Sequence, residues 1–320
     1  MRISELGGEF ALIRRLAEKQ SINDPSIVKS IGDDCAVIDN GKEEYLLITA
    51  DMIVENDHFN TRWYTPDQIG RKLVECNVSD IVSMGGWPKY GIVSMSIKKE
   101  TELEFIDGLY NGIYQAASKH GFYVVGGDTA HGTEMVFNMT IIGYVKKNLL
   151  RTRSMALVGD LICVTGRLGG SKAGLMMLSN GYNEHIDEHL NPVSRTRAEG
   201  EAIARYANAM IDVSDGLGSE VAHICEESGV GARIYKENIP LSKNALAASE
   251  ILSSSPYDYA LYGGEDFEIV FTIPENKIEA LKRDFYDFTV VGKIVDESEG
   301  KSIIDDGKEM PIGSGFDHFL

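Results

Sequence analysis

The stretch "TPDQIGRKLVECNVSDIVSMGG", residues 65–86, predicts a long helix in the first half of the chain. Thr65 is suited to the N-cap position, and Pro66 is suited to the first helical position, where a backbone N–H is not needed. Gln68 stands three residues after Thr65 and closes a capping box. The start of this helix is therefore defined by local sequence alone.

A single carboxylate lies on the apolar face of this helix. Ile69, Leu73 and Met84 fall on one helical stripe. Asp80 follows Leu73 by seven residues and precedes Met84 by four, so it shares that stripe. An isolated buried charge costs several kcal/mol or is neutralised by a shifted pKa. Three outcomes are open: the helix ends before Asp80, a basic side chain pairs with it, or it holds a cation.

The composition argues against several classes of function. The chain has 320 residues, enough for two domains, and a formal net charge of −18. This charge argues against binding to nucleic acid or to anionic membrane surfaces. No apolar run approaches the roughly 18 residues that a membrane span needs. The four cysteines form no CxxC pair, so we expect reduced thiols in a cytoplasmic protein: Cys35, Cys76, Cys163 and Cys225.

Strand-like and helix-like runs alternate along both halves, which predicts an α/β (α+β) fold of two domains. In the first half, strands are expected at 44–50, 90–97, 122–127 and 134–145, and helices after Thr65 and over 101–121, the latter with a capping box from Thr101 to Glu104 and an end at Gly121. In the second half, strands are expected at 161–166, 209–214, 259–264, 267–273 and 288–295, and helices at 170–178, 195–207, 217–229 and 275–285. We interpret segment 146–160 as the crossing between domains at 1–148 and 149–320.

Carboxylates follow one predicted strand or Gly-Gly turn after another. The acids concerned are Asp33 and Asp34 in "IGDDCAVI", Asp51 in "LLITADMIVENDHF", Asp128 in "VVGGDTAHG", and Asp212 and Asp215 in "IDVSDGL". Ligands gather at strand ends in open α/β sheets, and converging acids raise each other's pKa unless a cation lies among them. Taken singly, each acid is better explained as a turn residue or an N-cap. Taken together with Asp80, the acids predict a site for a hard cation such as Mg²⁺.

A nucleoside triphosphate is the expected partner of such a site, because metal ions neutralise its phosphates. The known phosphate-binding loops are missing from the sequence. The segment "GRLGGSKAG", residues 166–174, has the wrong spacing for GxxxxGK[ST], and no GxGxxG kinase loop with a VAIK partner occurs. Phosphates would then be held by metals, by glycine amides and by a few basic side chains. Arg153 and His58 are candidates, although each also has an ordinary structural explanation.

The motifs together resemble those of the thiamine-monophosphate kinase family, within the superfamily of aminoimidazole-ribonucleotide synthetase-like ATP enzymes. They are "GDDCAVI", "TADMIVENDHF", "NVSDIVSMGG", "GGDTAHG", "RTRSMALVGDLICVTGRLGGS", "DVSDGL", "YGGEDFE" and "GFDHF". The resemblance covers nearly the whole chain. It implies two domains, each a mixed sheet covered by helices, in a homodimer whose N-terminal sheets join into a barrel. The first domain would bind ATP and Mg²⁺ and dimerise, and the second would complete the active site. The implied reaction transfers the γ-phosphoryl group of ATP to thiamine monophosphate and gives thiamine diphosphate.

The resemblance also implies roles for individual residues. Several Mg²⁺ ions would be held by Asp34, Thr49, Asp51, Asp80, Asp128, Asp212 and Asp215. ATP would be contacted by Gly127, Asp128, Arg153 and Ser214. The thiamine phosphate would be contacted by His58, Glu265 and Phe316, although Glu265 is equally explained as a turn residue. Ala50 departs from the family pattern, in which a hydroxyl residue contributes to a metal site, so only a backbone carbonyl is available there.

The expected step is a direct in-line attack by a phosphate oxygen of thiamine monophosphate on the γ-phosphorus. This oxygen is already anionic near neutral pH, because the second phosphate pKa is about 6, so no general base is expected. Two unit charges about 4 Å apart repel by about 4 kcal/mol at an effective dielectric constant near 20, and Mg²⁺ would offset this repulsion. The alternatives are another ATP enzyme of the superfamily, such as an aminoimidazole-ribonucleotide synthetase, a metal-dependent phosphohydrolase, and a non-catalytic nucleotide- or Ca²⁺-binding protein.

Overall fold

The computed structural model describes residue 5, residues 7–313 and residue 315. Within these ranges the chain forms two mixed β-sheets, one from strands before residue 147 and one from strands after residue 160. Helices pack against both sheets. The predicted α/β fold with two domains is therefore confirmed. No helix in the described ranges is both long and apolar enough to span a bilayer.

The first domain is built on a six-stranded sheet. Its strands are β1 (Ile27–Lys29), β2 (Ala36–Asp39), β3 (Glu44–Val54), β4 (Trp87–Ile97), β5 (Tyr123–His131) and β6 (Val136–Lys146). They lie in the order β1-β2-β3-β6-β4-β5. The β4–β5 pair is parallel, and the other pairs are antiparallel. The helices of this half are α1 (Glu9–Ala17), α2 (Pro66–Ser83) and α3 (Leu103–His120), of which α2 and α3 pack against each other and on the sheet.

Helix α2 begins as the sequence predicts. The Gln68 backbone N–H donates to the Thr65 hydroxyl at 3.3 Å, and the Gln68 side chain accepts from the Thr65 N–H at 2.9 Å, which completes the capping box. The helix continues through Asp80 to Ser83. An early end before the carboxylate, the first of the three outcomes for Asp80, is therefore excluded.

The second domain is built on a seven-stranded sheet. Its strands are β7 (Leu161–Thr165), β8 (Met210–Asp212), β9 (Gly231–Tyr235), β10 (Ile269–Ile273), β11 (Phe288–Val295), β12 (Lys301–Asp305) and β13 (Lys308–Pro311). They lie in the order β13-β12-β9-β11-β7-β10-β8, with β9 and β12 parallel. The helices are α4 (Gly170–Ser179), α5 (Asp187–Leu190), α6 (Arg197–Ala204), α7 (Leu217–Ser228), α8 (Lys243–Leu252), α9 (Pro256–Tyr262) and α10 (Ile278–Asp284).

One hydrophobic core extends across both domains. It joins Ile69 and Leu73 of α2 to Ile203 of α6 and Phe271 of β10, and all four side chains are fully buried. A second core fills the other face of the second sheet, around residues such as Val221 of α7. Helix α2 is therefore packed by both domains, which explains why it is buried on most of its sides.

One predicted strand is wrong. Residues 259–264 were expected to be extended, but most of them form the end of α9. Ser255 caps this helix through its side chain and Pro256 occupies the first helical position, so local capping overrides the aromatic and aliphatic pattern. The elements not assigned from the sequence are strands β1, β2, β9, β12 and β13 and helices α5 and α8.

The expected capping box of α3 is also wrong. The N-cap residue is Glu102 rather than Thr101, and it makes no capping hydrogen bond through its side chain. The predicted end of the same helix is confirmed, because Gly121 adopts a left-handed conformation with φ of 74°.

Candidate active site

A cavity of about 620 Å³ lies between the two domains. Its size is within the range of small-molecule sites. Strand β3 and helices α1 and α2 contribute walls from the first domain, and α4, α7 and the 263–267 loop contribute walls from the second. Eleven of the candidate site residues named from the sequence line it: Asp33, Asp34, Thr49, Asp51, His58, Asp80, Arg153, Asp212, Ser214, Asp215 and Glu265. These residues, scattered along the chain, therefore share one cleft.

Helix α2 directs a row of polar side chains towards the acidic end of this cavity. The Asn77 side-chain oxygen accepts from the Asp51 backbone N–H at 3.0 Å. The Ser79 hydroxyl donates to the Asp212 carboxylate at 2.7 Å. Asp51 ends up on β3 of the first domain and Asp212 on β8 of the second, so α2 links acids from the two domains.

The same row continues with Asp80 and Ser83. The Thr49 hydroxyl donates to Asp80, and the Ser83 hydroxyl donates to Asp34. Arg153 also pairs with Asp34, with its Nε 3.0 Å from the carboxylate. Among the ion pairs of the described residues, none joins Asp80 to a base. The second outcome for Asp80 is therefore not found, and the third, a cation, remains.

The acidic end of the cavity carries more negative charge than nearby bases offset. Burial, together with the charge of Asp34, raises the pKa of Asp33 to about 7 and that of Asp51 to about 6. Burial, reinforced by neighbouring carboxylates, raises the pKa of Asp80 and Asp212 well above the ordinary value of an aspartate. Such shifts arise where like charges share a poorly solvated space.

These residues fit a magnesium site that substrate completes. In the described part of the chain, no three His, Cys, Asp or Glu side chains converge closely enough to enclose a metal ion by themselves. Mg²⁺ takes one or two carboxylates from a protein and fills its remaining positions with water and substrate phosphates. The donors here are carboxylate and hydroxyl oxygens, and burial, followed by the charges of neighbouring carboxylates, raises the pKa of Asp80 and Asp212. The set fits open, phosphate-bridged sites rather than a closed protein cage.

The loop before α7 carries two further predicted residues. Glu220 accepts from the backbone N–H groups of Asp215 at 2.8 Å and of Ser214 at 3.3 Å, which fixes the loop. Gly216 in this loop has φ of 103°, and a Cβ there would lie 2.7 Å from the carbonyl oxygen of Leu261. Glycine is therefore required for the loop to reach the cavity.

The opposite end of the cavity is built around Glu265. Lys72 of α2 contacts its carboxylate at 2.6 Å, and the Ser171 hydroxyl lies 3.5 Å from it. His189 lies 3.7 Å away, and burial, followed by the charge of Lys72, lowers the pKa of this histidine to about 4. His58 also lines the cavity. This end thus combines a paired carboxylate with neutral hydrogen-bonding groups.

Gly127 and Asp128 do not line the cavity of their own chain. The strand register aligns Asp128 with Met52 of β3 across β4 and β6, and it aligns Gly127 with Asp51. Residues aligned in this way share a face, so Asp128 and Asp51 lie on opposite faces, with their strands about 14 Å apart at three strand spacings. One chain therefore does not bring Asp128 to the other acids.

Two further positions complete the comparison with the sequence. Phe316 lies outside the described residues. Ala50 lies on the exposed face of β3 and lines the cavity, between the inward-facing Thr49 and Asp51. At this accessible position the chain therefore lacks the hydroxyl group that the family pattern has.

Polar residues of the cavity that were not predicted from the sequence include Lys72, His189 and Glu220. Lys72 could have been found, because it precedes Asp80 by eight residues and so lies on the same helical face. Glu220 could have been suspected as a partner of the "VSDGL" loop that it follows. His189 had no local signal, since its position depends on the packing of α5 against α4.

Comparison with known proteins first defines a class. Residues 32–145 match the family described as AIR synthase related protein, N-terminal domain, and residues 158–305 match AIR synthase related protein, C-terminal domain. The chain is therefore an AIR synthase related protein that contains both domains of this class.

Full-length relatives narrow this class. Thiamine-monophosphate kinase of Buchnera aphidicola is 34% identical over 324 residues, covering 97% of this chain and 98% of the relative. Thiamine-monophosphate kinase of Aquifex aeolicus is 33% identical over 326 residues, covering 100% of both. A solved structure described as "AaThiL complexed with AMPPCP and TMP" is 32% identical, covers 99% of each chain and superposes with a TM-score of 0.87. The chain belongs to the thiamine-monophosphate kinase family, as the motifs predicted.

Proposed function

We infer that this protein transfers the γ-phosphoryl group of ATP to thiamine monophosphate and so makes thiamine diphosphate. The observation that carries this inference is a single cavity, lined by both domains, in a chain that thiamine-monophosphate kinases match over its whole length. A related structure was solved with AMPPCP, an ATP analogue, and TMP together. The acidic end of the cavity suits the metal-bound phosphates of ATP. The other end, with its paired carboxylate and neutral hydrogen-bonding groups, suits thiamine monophosphate.

We propose that Mg²⁺ is held by Asp34, Thr49, Asp51, Asp80, Asp212 and Asp215, with Asp128 supplied as described below. Bound Mg²⁺ supplies positive charge that neutralises the phosphates and the charge developing during transfer. Hydrogen bonds from Ser79 and Ser83 orient two of these carboxylates, and the loop fixed by Glu220 presents a third. The chain contributes orientation and an anionic lining rather than a covalent intermediate.

The transfer itself is proposed to be direct and in-line. A phosphate oxygen of thiamine monophosphate attacks the γ-phosphorus, and the bond to the leaving ADP oxygen breaks. The attacking phosphate has a second pKa of about 6, so it needs no general base near neutral pH. Arg153 and Ser214, at the acidic end, are proposed to contact ATP, and His58 and Glu265, at the other end, are proposed to contact the acceptor. Phe316, which lies outside the described residues, is also proposed to contact the acceptor.

We propose a homodimer that joins two copies through the first sheet. Strand β5 is at the sheet edge and is exposed along nearly all its length, with Tyr123 69% and Val125 59% exposed. Met52 on the same sheet is 54% exposed. An unpaired edge with apolar side chains is a surface that soluble proteins normally cover. A second copy there would also supply Gly127 and Asp128 to a site that its own chain does not complete.

Several further proposals concern the molecule as a whole. We propose domains at 1–148 and 149–320, consistent with the two sheets. The four free cysteines support a reducing, cytoplasmic environment. The net charge of −18 favours small-molecule substrates that carry their own cations over nucleic acid or membrane partners.

The decisive experiment measures thiamine diphosphate after incubation with ATP and thiamine monophosphate, with Mg²⁺ and with a chelator. Formation of thiamine diphosphate and ADP in equal amounts, only with Mg²⁺, is expected. Release of inorganic phosphate without thiamine diphosphate would instead identify a phosphohydrolase. Turnover with an aminoimidazole-ribonucleotide precursor and not with thiamine monophosphate would identify the synthetase alternative. Binding of nucleotide or Ca²⁺ without turnover would support the non-catalytic alternative.

A further inference from the structure

Lys72 is a buried lysine that contacts two of the three predicted acceptor-binding residues, His58 and Glu265. Its side chain is 1% exposed, and its Nζ lies 2.6 Å from the backbone carbonyl oxygen of His58 and 2.6 Å from Glu265 Oε1. The hydroxyl of Tyr64 lies 3.4 Å from the same nitrogen. His58 belongs to the first domain and Glu265 to the second. One ammonium group therefore joins the two domains beside the cavity.

A lysine at this position is energetically unfavourable if its only role is to stabilise the fold. Lys72 lies among the apolar residues of α2, where a fully buried ammonium requires pairing to offset its desolvation. Replacing a buried ion pair by apolar side chains of similar volume is often neutral or stabilising. The retained charge thus points to a role for the groups that Lys72 holds.

Glu265 needs to be held from outside its own loop. It adopts a left-handed backbone conformation with φ of 65°, which is uncommon for a residue other than glycine. Its side chain remains 27% exposed towards the cavity. Burial, the largest influence, opposes ionisation of Glu265, but the charge and hydrogen bond of Lys72, together with the effects of His189 and His58, lower the pKa of this carboxyl below its ordinary value. Without Lys72, the carboxylate would lose its charged partner.

His58 is held by contacts with Lys72 and with Val54. Its carbonyl oxygen accepts from Lys72, and its ring Nδ1 accepts from the backbone N–H of Val54 at 3.2 Å. Asn56, two residues earlier, has φ of 67°, so the loop turns sharply before His58. The position of the imidazole therefore depends on the lysine as well as on the loop.

We propose that Lys72 is a positioning residue for the acceptor: it fixes the His58 loop of one domain against the Glu265 loop of the other, at the distance that thiamine monophosphate requires. This inference rests on the proposed function. Lys72 touches neither the acidic end nor Arg153, so its effect is confined to the acceptor half of the cavity.

The test compares steady-state kinetics of the wild type and Lys72→Met, a neutral variant of similar length. The expected result is a rise in KM for thiamine monophosphate of about tenfold or more, with KM for ATP changed less than about twofold, because a buried charge pair is broken only at the acceptor end. Equal increases in both KM values, or an unchanged KM for thiamine monophosphate, would overturn the proposal.

A double variant separates positioning from general structural support. If Lys72 acts through Glu265, Lys72→Met combined with Glu265→Gln should raise the acceptor KM by no more than about threefold beyond Glu265→Gln alone. Multiplied effects would indicate independent roles and contradict the proposal. Lys119→Met is the matched control, since Lys119 pairs with buried Glu75 away from the cavity; it should leave both KM values unchanged.

Two provisions keep the outcome clear. If Lys72→Met does not fold by circular dichroism, Lys72→Gln keeps a donor for the His58 carbonyl but removes the charge facing Glu265, and the same KM pattern is expected of it. An unchanged acceptor KM in folded Lys72→Gln would overturn the proposal. Absence of thiamine diphosphate formation by the wild type would refute the proposed function itself, which distinguishes that failure from a failure of the Lys72 role.

Discussion

Replacing Asp80 by asparagine removes one negative charge from the acidic end of the cavity without shortening the side chain. The asparagine oxygen can still accept from the Thr49 hydroxyl, so the hydrogen bond of the wild type is retained. The charge repulsion from Asp51, Asp212 and Asp34, which raises the pKa of Asp80 in addition to burial, is lost. We therefore expect the metal-free variant to be more stable than the wild type and to be inactive.

The direction of the gain follows from Asp80 itself, because burial, and after it the charges of Asp51, Asp212 and Asp34, raise its pKa well above the ordinary value. Two like unit charges about 8–16 Å apart repel by roughly 1–2 kcal/mol at an effective dielectric constant near 20, which sets the scale of the repulsion that is removed. We expect Asp80→Asn to raise the free energy of unfolding by about 1–2 kcal/mol in chelator at pH 8, or Tm by roughly 2–4 °C.

The assay is thermal unfolding of both proteins at pH 8, with EDTA and with Mg²⁺ plus ATP, alongside thiamine diphosphate formation. The wild type should gain more from Mg²⁺ and ATP than the variant does. Asp160→Asn is the control: Asp160 is buried but accepts from the Leu157 N–H and the Asn208 side chain, so it should lose stability in both conditions. Destabilisation of Asp80→Asn in EDTA, or normal turnover with undiminished Mg²⁺ dependence, would refute the metal assignment.

Three more predictions can be tested with the same preparations. His58→Ala should raise KM for thiamine monophosphate more than KM for ATP in steady-state assays, and equal effects would place His58 elsewhere. If each site uses Asp128 of the second copy, mixing Asp80→Asn subunits with Asp128→Ala subunits should restore about a quarter of wild-type activity. Half of the dimers would then be hybrids, and each hybrid would hold one intact site out of two. A mixture as inactive as its two components would contradict shared sites. The pKa values of Asp33, about 7, and of Asp51, about 6, lie above their unfolded values, so the folded state binds more protons and its stability in chelator should fall as pH rises through this range. Two buried histidines with folded pKa values of about 4 act in the opposite direction up to their unfolded pKa of about 6.5. Thermal unfolding in EDTA from about pH 7 to about pH 8.5 therefore tests this prediction, and a Tm that rises over this range would contradict it.

Long-range packing accounts for the main differences between prediction and structure. The ion pair of Lys72 and Glu265 joins residues 193 positions apart, and nothing near either residue in sequence indicates it. Asp128 and Asp51 lie on opposite faces of the first sheet, and this arrangement depends on the register of four strands. A reading of each strand separately puts every acid at a strand end and thus in one site, whereas the sheet divides them between two faces.

The sequence by itself determined the helix that begins at Thr65, most of the acids that line the cavity and the family to which the chain belongs, although Asp51 and Asp128 lie inside β3 and β5 rather than after them. These features depend on capping, on periodicity and on motifs that lie within a few residues of one another, so local chemistry is sufficient to specify them. Only the tertiary structure decided that α2 carries Asn77, Ser79 and Ser83 to acids of both domains. It also decided that the cavity has one strongly acidic end and one end built around a buried lysine, because burial and the proximity of charges are properties of the packed molecule.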